Sequence, residues 1–374
     1  MQSNRMVTPY DHKTRGIHRL CFTNRPAKRL LTLALALAPF AMQTQAQSIE
    51  GTSYYLPKNG MRFTVKVEKT QYRPGRLCQY AERYFKKRVA QQPSTSYRII
   101  GIEIDPIAVP DTSKHFTLTV DKKHSIGNVA TTNDGRLLAI NAKAEETDTP
   151  KRVFVPAKRP EPLNPNDYMT EDILNSGSMA KMAELTAKGI YDIRDSRNQL
   201  SRGEADNLPK DGAQLKLMYD NMNRQEEALT QLFYGTENKD TTWTSLNFIP
   251  SKEGSNILFR FSKHFGLVDN DDLSGEPYYI NIKDLHSVAI PQSTDADKKK
   301  EDKNDIGLRV SKPSNIRVTL TDGKNIIKTY EMSAAQFGNV ESISGEMFGK
   351  KQSCQLLLDP LTGSVKAIKV LTTE

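Results

Sequence analysis

One segment of helical periodicity lies between two regions of strand periodicity, and this order constrains the fold more than any other feature of the sequence. Apolar positions recur every three or four residues from Met179 to Leu200, the spacing of an amphipathic helix. Gly203 then ends the pattern. The positions on this stripe are Met179, Met182, Thr186, Ile190, Ile193 and Leu200. The spacing predicts a helix of five to six turns.

A second helical stripe follows after a short loop. Asp211 is a candidate N-cap, and Gln214 three residues later completes a capping-box pattern. The stripe comprises Leu215, Met218, Met222, Leu229, Leu232 and Phe233, and Gly235 closes it. Two such helices predict an antiparallel αα-hairpin with arms about 30–35 Å long. The arms either project and carry a partner surface, or pack on each other and against a sheet with methionine as core filler; the second alternative is favoured.

Strand patterns precede the hairpin. Phe63, Val65 and Val67 alternate with polar residues, as in a half-buried strand. Pro74-Gly75 breaks this strand, and the spacing of Leu77, Ala81, Tyr84 and Arg88 then predicts a short helix. Further strand faces are predicted from Ile100, Ile102 and Ile104, from Phe116, Leu118 and Val120, and from Leu137 to Ile140 after the turn Asn133-Asp134-Gly135.

Strand patterns resume after Trp243. Predicted strands carry Ile257, Phe259 and Phe261; Tyr278, Ile280 and Ile282; Ile316, Val318 and Leu320; Ile326 to Tyr330; Cys354 to Leu358; and Val365 to Val370. Asp322-Gly323 and Asp359-Pro360-Leu361-Thr362-Gly363 have turn composition. Short strands with close turn signals favour a sandwich-like antiparallel domain.

These patterns predict an α+β fold in which two β-rich, antiparallel, sandwich-like domains flank a helical hairpin. The expected segments are a leader (1–46), an N-terminal β-rich domain with one helix (47–142), a proline-rich connector (143–168), the αα-hairpin (169–237), and a C-terminal β-sandwich-like domain (238–374) with a charged loop (293–305). A chain of 374 residues is long enough for such a division.

The leader has the three zones of a cleavable signal peptide. A basic patch of Arg25, Lys28 and Arg29 precedes an apolar run from Leu30 to Met42, and a small-residue exit ends at Ala46. The apolar run is shorter than the roughly 20 residues of a spanning helix. We therefore expect cleavage after Ala46, a periplasmic or secreted mature protein, and no transmembrane segment in it.

Charge argues against a nucleic-acid partner. The leader holds seven basic residues and one acidic residue of the chain totals of 53 and 44, which leaves 46 and 43 and a net charge of +3. A nearly neutral chain has little attraction for phosphate. Only Cys78 and Cys354 remain after the leader. They are expected as two separate buried thiols, with a single disulfide as the alternative.

Several short motifs resemble a family of exported Bacteroidetes proteins known as a domain of unknown function (DUF4831). They are Tyr54–Pro57, Phe63–Thr70, Tyr80–Tyr84, Met182–Glu184, Ile190–Arg194, Arg202–Asp206 and Ala335–Gly338. The resemblance covers nearly the whole mature chain. It implies envelope localisation and this order of domains, and it brings no catalytic residues.

Ser178 and Lys181 are the most provocative local pair. A Ser and a Lys three residues apart at a helix start place a nucleophile beside its base in penicillin-recognising enzymes. The remaining motifs of that site are missing, however, because Ser196-Arg197-Asn198 follows on the same predicted helix and no Lys-Thr-Gly occurs. A helix cap is the favoured role of Ser178.

Other candidate sites are weaker. Asp269, Asp271, Asp272 and Glu276 crowd one loop, but their spacing fails the calcium-loop pattern. His115, His124, His264 and His286 lack paired metal-ligand spacing. Trp243 is the only tryptophan, and Tyr54, Tyr55, Tyr278 and Tyr279 are expected as strand residues with hydroxyls in water rather than as a glycan platform.

We therefore assign no catalytic, cofactor-binding or metal-binding residue from the sequence. The leading hypothesis is a non-catalytic binding or scaffold protein of the cell envelope that contacts a protein or a glycan. The alternative is a hydrolase or transferase that acts on envelope polysaccharide or peptidoglycan, with a site between domains.

Overall fold

The computed structural model describes residues 51–144, 154–155, 161–205, 211–289, 304–350 and 353–371. The expected leader, most of loop 293–305 and much of connector 143–168 lie outside these described residues. Residues 48–374 form one compact unit. The fold is α+β and rich in antiparallel strands, which confirms the predicted class.

The described part of the chain contains twelve strands, four α-helices and three short 3-10 helices. The strands are β1 (Ser53–Arg73), β2 (Ser94–Thr117), β3 (Val129–Thr131), β4 (Leu137–Ile140), β5 (Thr236–Phe248), β6 (Gly254–Ser262), β7 (Gly266–Val268), β8 (Glu276–Asp284), β9 (Asp305–Thr321), β10 (Ile326–Ser344), β11 (Ser353–Leu358) and β12 (Val365–Leu371). The helices are α1 (Ala81–Phe85), α2 (Glu171–Leu174), α3 (Met179–Arg202) and α4 (Gly212–Tyr234).

The strands form three antiparallel sheets. Their orders are β2-β1-β5 in the first sheet, β10-β9-β8-β6-β7 in the second, and β12-β11-β4-β3 in the third. Two sheets mix strands from both β-rich segments, since β5 pairs with β1 and β11 pairs with β4. The segments 47–142 and 238–374 therefore build their sheets together.

Two hydrophobic cores lie between the packed sheets. Strands β1 and β9 contribute residues to both cores. Tyr54 and Leu56 at the start of β1 belong to the first core, with strands of the third sheet. Met61, Phe63 and Val65 farther along β1 belong to the second core, where the first sheet faces the second. The alternating apolar pattern of β1 thus covers two sandwiches in succession.

The predicted face of Ile100, Ile102 and Ile104 is wrong at its first residue. Ile102 and Ile104 pack against the second core, but Ile100 is 44% exposed. A register shift between Lys66 and Val67 places Ile99 opposite Val67 and turns Ile100 outward. A bulge adds one residue to one strand, so it inverts the alternation beyond it.

A half-buried pair of hydrogen bonds joins β1 to β10 at the middle of β1. The backbone N–H of Asn59 donates to Gln336 Oε1 over 2.9 Å, and Gln336 Nε2 donates back to the Asn59 carbonyl over 2.7 Å. A Cβ atom on nearby Gly338 would lie 1.9 Å from the Lys312 carbonyl oxygen. The motif Ala335–Gly338 therefore has a structural role, in which β10 approaches β1 and β9 closely.

Candidate functional site

The helical hairpin is the most prominent feature outside the sheets. Ser178 caps α3 and Asp211 caps α4, both as predicted, and Gly203 ends α3 in the left-handed conformation. At about 1.5 Å per residue each arm is roughly 35 Å long. The predicted hairpin is confirmed.

The base of the hairpin packs in a third hydrophobic cluster. Ala183, Ile190, Leu229 and Phe233 are buried there together with residues of α1 and α2. The residues of this cluster come from helices and the turns beside them rather than from strands. The expected packing of the hairpin against a sheet is thus replaced by packing against short helices.

Predicted helix α1 is shorter than its apolar spacing suggested. It ends at Lys86, which adopts the left-handed conformation with φ of 56°, so Arg88 lies beyond it. Phe85 at its end stacks on Tyr191 of α3 and meets Phe233 of α4 edge-on. This short helix therefore wedges an aromatic ring between the two arms.

An ion-paired clamp joins the arms near their middle. Arg194 Nε and Arg197 Nη1 of α3 each donate to a different oxygen of Glu226 on α4, both over 2.6 Å. The Arg194 guanidinium also lies over the rings of Phe85 and Tyr191, 5.5 and 5.6 Å from their centroids. Three residues thus fix the spacing of the arms where the buried base ends.

The distal half of the hairpin, defined as residues 195–204 and 211–224, is largely exposed. Leu200 is its one buried residue among those described. Met218, which the predicted stripe placed on the packed face, is 41% exposed, and its neighbour Leu217 is 60% exposed. The distal half carries four basic and four acidic residues, so its net charge is zero. Of the two alternatives for the arms, the distal half is exposed as expected for a projecting hairpin. The base is packed as expected for a core element.

A polar groove of about 560 Å³ lies at the base, where α4 passes into β5. Its lining includes Arg194, Glu227, Gln231, Tyr234 and Glu237. The Thr230 hydroxyl is buried beside it without a hydrogen-bond partner among the described residues. Carboxylate, amide and hydroxyl groups suit binding of a polar ligand. Glu226, which also lines the groove, is held by two arginines and is not placed as a general acid or base.

The groove is built on a close contact between β1 and the end of α4. Gly235 has φ of 78°, and a Cβ atom there would lie 2.2 Å from the Arg73 carbonyl oxygen. The Tyr72 hydroxyl lies 2.8 Å from the Ala90 carbonyl oxygen and 3.1 Å from that of Tyr234. Burial raises the pKa of Tyr72.

Ser178 and Lys181 do not form a nucleophile and base. The Ser178 hydroxyl accepts the Lys181 backbone N–H over 3.2 Å, as a helix cap does. Lys181 Nζ instead donates to Glu184 Oε1 over 3.0 Å. The structure therefore supports the favoured role of Ser178 as a cap.

The positively charged side chain of Arg260 is bound to the acidic loop before β8. Arg260 Nε donates to the Asn270 carbonyl over 2.8 Å, and its Nη1 donates to that of Gly275 over 2.9 Å. Asp272 Oδ1 accepts the Ser274 backbone N–H, which lowers the pKa of this carboxyl. Among the described residues, no group of three or more His, Cys, Asp or Glu is arranged to hold a metal.

The four histidines among the described residues have different neighbours. His115 contacts the Tyr55 ring, with centroids 4.7 Å apart. His124 Nδ1 lies 2.7 Å from Asp121 Oδ1, and His286 Nδ1 lies 3.3 Å from Asp284 Oδ2. His264 lies in the exposed turn after β6.

The two cysteines are separate free thiols, as favoured. Cys354 is buried in the first core, and Cys78 is half-buried beside α1. Trp243 lies on the outer face of the first sheet, where Phe154 contacts its ring at 5.3 Å and Lys66 Nζ lies 4.2 Å above it. Trp243 is half-buried, and its ring is in contact with both of these protein groups.

Arg194, Arg197 and Glu226 were not predicted from the sequence as interacting residues. The signal was present, because positions three apart on one helix face the same neighbour. Two arginines at that spacing on one helix, with a glutamate on the neighbouring helix, are typical of an interhelical ion pair. Which glutamate they meet depends on the loop between the helices.

Comparison with known proteins identifies one family. A family model described as a domain of unknown function (DUF4831) matches residues 50–366. Neither a curated protein nor a solved structure shows significant similarity to the chain. In the part of the chain that the structure describes, no helix is long and apolar enough to cross a membrane.

Proposed function

The chain belongs to the DUF4831 family, and from this premise we propose that it is a non-catalytic binding or scaffold protein of the cell envelope that holds a partner protein on the distal half of its hairpin. The observation that carries the proposal is the exposure of the distal half beyond a base whose apolar residues are buried. A two-helix projection with an ion-paired clamp presents a preformed surface, which lowers the entropy cost of binding.

A protein partner fits the distal half better than a glycan. Exposed Leu217 and Met218 lie among balanced charges, a mixture typical of protein interfaces. Glycan sites rely on exposed aromatic rings, whereas the half-buried Trp243 ring already contacts Phe154 and Lys66. The groove at the base supplies polar groups that can bind the remainder of the partner.

Export is part of the proposal and rests on the sequence. The basic patch, the apolar run from Leu30 to Met42 and the small-residue exit at Ala46 support a cleavable leader. Sequencing the N-terminus of the native protein tests this point. We expect Gln47 as the first residue, and a protein recovered from the cytosol with its leader intact would contradict export.

Affinity capture from envelope extracts tests the partner. We expect the chain to retain one stoichiometric protein, and Leu217→Arg together with Met218→Arg to reduce its recovery at least tenfold, because buried charge opposes an apolar contact. Phe265→Ser, at another exposed apolar position, is the matched control and should leave recovery unchanged. Equal recovery by the double variant and the unaltered chain would contradict the hairpin as the binding surface.

A further inference from the structure

Strand β12 forms an open edge of the third sheet. The strand order is β12-β11-β4-β3, so β12 pairs with β11 on one side and, within the described ranges, with no strand on the other. An edge strand turns every second backbone N–H and C=O group away from its sheet. An extended polypeptide segment completes such a ladder by main-chain hydrogen bonds. A lipid or a glycan lacks the matching repeat of donors and acceptors.

The apolar face of the third sheet continues onto β12. Val370 lies opposite Cys354 of β11, and Ile368 lies opposite Leu356. Residues directly opposite each other in an antiparallel pair have their side chains on the same face. Cys354 and Leu356 are buried in the first core. Ile368 and Val370 therefore lie on the core side of the sheet.

The packing that buries β11 does not extend to β12. Ile368 is 44% exposed and Val370 is 52% exposed, although both lie on the core side. Val365, which lies opposite buried Leu358, is 37% exposed. At the other edge of the same sheet, Val129 of β3 packs against the first core. We call Val365, Ile368 and Val370 the apolar row. One more strand beside β12 would cover it.

Hydrogen bonds within the chain hold the turn that leads into β12. Asp359 Oδ1 accepts the backbone N–H groups of Leu361 and Thr362 over 3.0 and 2.8 Å. The Ser311 backbone N–H donates to the Gly363 carbonyl over 3.1 Å, which ties the same turn to β9. The position of β12 is therefore set by the chain's own contacts. Most of the ordering on binding falls on the partner segment.

The charge of this edge is positive. Lys366 and Lys369 of β12 are exposed, and neither β11 nor β12 carries an acidic residue. Neither lysine has an ion-pair partner among the described residues. A second copy of the chain would bring two more lysines and no carboxylate from its own edge, and lysine on an edge strand opposes such pairing. The charges instead complement a segment with acidic residues.

We propose that the open edge of β12 binds an extended segment of another protein in which apolar residues alternate with acidic residues. The segment adds a fifth strand to the third sheet, and since β12 spans seven residues, about seven residues of the partner pair with it. Its apolar side chains cover the apolar row on the core side. Its carboxylates lie on the opposite face, the face of Lys369 and Gln355. The edge uses no residue of the hairpin, so the inference does not depend on the proposed hairpin partner.

Fluorescence anisotropy with a defined peptide tests the proposal. The probe is a labelled heptapeptide that alternates valine with glutamate, titrated with the full chain. We expect binding, and Ile368→Thr together with Val370→Thr should weaken it about tenfold, because two apolar side chains no longer leave water while both positions keep a β-branched residue. Ile326→Thr together with Ile327→Thr, on the edge strand of the second sheet, is the matched control and should leave the affinity unchanged. Circular dichroism verifies that both double variants are folded.

Two altered peptides separate backbone pairing from charge. A valine-glutamate peptide with a methyl group on every backbone nitrogen has no donors for the ladder and should not bind. A peptide with lysine in place of glutamate should bind severalfold more weakly, and high salt should remove that difference. No binding of the first peptide, binding of the methylated peptide, or equal affinity for the two charged peptides at low salt would each overturn the proposal.

Amide hydrogen exchange locates the bound peptide on the chain. We expect slower exchange in β12 when the valine-glutamate peptide is added, because its outward N–H groups gain acceptors. Protection confined to other strands would contradict the proposal. Analytical ultracentrifugation of the chain alone tests for a second copy at this edge. A dimer that Ile368→Thr together with Val370→Thr dissociates would assign the edge to self-association and overturn the proposal.

Discussion

At the scale of single residues, Tyr54 lies in a sequence pattern typical of a half-exposed strand, yet its side chain is buried and hydrogen-bonded to the backbone of β9. Tyr54 was expected to hold its hydroxyl in water, but its side chain is fully buried in the first core. The hydroxyl accepts the Arg309 backbone N–H over 2.6 Å and lies 3.2 Å from the Gly307 carbonyl oxygen and 3.1 Å from that of Arg309. That prediction was wrong because period-two alternation indicates which residues share a face of the strand. It does not indicate whether another sheet packs on that face.

Replacing Tyr54 should weaken the protein and remove part of its alkaline sensitivity. Burial raises the pKa of Tyr54 to about 12. The unfolded chain releases this proton near pH 10, so stability is complete below pH 10 and falls as the pH rises towards 12, by about 3 kcal/mol in total. Tyr54→Phe should cost about 1–2 kcal/mol at neutral pH. Urea unfolding at several pH values measures both effects, and an unchanged alkaline slope in the variant would contradict them.

Alanine substitutions at two glycines should change the stability of the protein in opposite directions. At Gly338, alanine would place Cβ 1.9 Å from the Lys312 carbonyl oxygen, so backbone must move, and we expect a loss of about 3 kcal/mol or more. At Gly189, inside α3, nothing lies within 4 Å of the added Cβ. Gly189→Ala should therefore stabilise the protein by about 0.5–1 kcal/mol. Thermal unfolding of both variants tests this, and a shift of the same sign in both would refute the assignment.

At the scale of elements, the helices and most strands follow from local periodicity, whereas their partners do not. The caps of α3 and α4 are local signals, and the structure confirms them. The pairing of β1 with β5 joins positions more than 160 residues apart, and no turn signal specifies it. The bulge opposite Val67 is likewise a property of two strands together. Predicting the clamp requires knowing how the two helices are rotated relative to each other. The apolar pattern of a single helix does not contain this information.

The clamp should control the motion of the hairpin more than the stability of the whole protein. Glu226→Gln removes the charge between Arg194 and Arg197, so amide exchange in the distal half should rise severalfold. Because the pair is partly exposed, global stability should fall by less than about 1 kcal/mol. Glu227→Gln is the control, as Glu227 makes no ion pair within the described ranges. Unchanged exchange in the Glu226 variant would show that the aromatic base alone fixes the arms.

At the scale of the whole molecule, continuous strands connect what the sequence suggested as separate β-rich segments. β1 and β9 run through both sandwiches, and the Asn59–Gln336 pair lies where one core gives way to the next. A defect in one core is therefore transmitted along a strand that the other core needs. We therefore expect both sandwiches to unfold in one cooperative transition, whereas separate domains would unfold independently.

Leu56→Ala and Trp243 fluorescence together test this coupling. Leu56 is buried in the first core, and Trp243 reports on the first sheet beside the second core. The cavity should cost about 2–5 kcal/mol. If the sandwiches unfold as one, the midpoints from Trp243 fluorescence and far-ultraviolet circular dichroism should fall by the same amount. Val65→Ala in the second core should give the same coincidence. If Leu56→Ala instead produced two transitions and left the fluorescence midpoint unchanged, the sandwiches would be independent folding units, and the shared strands would be connections without energetic coupling.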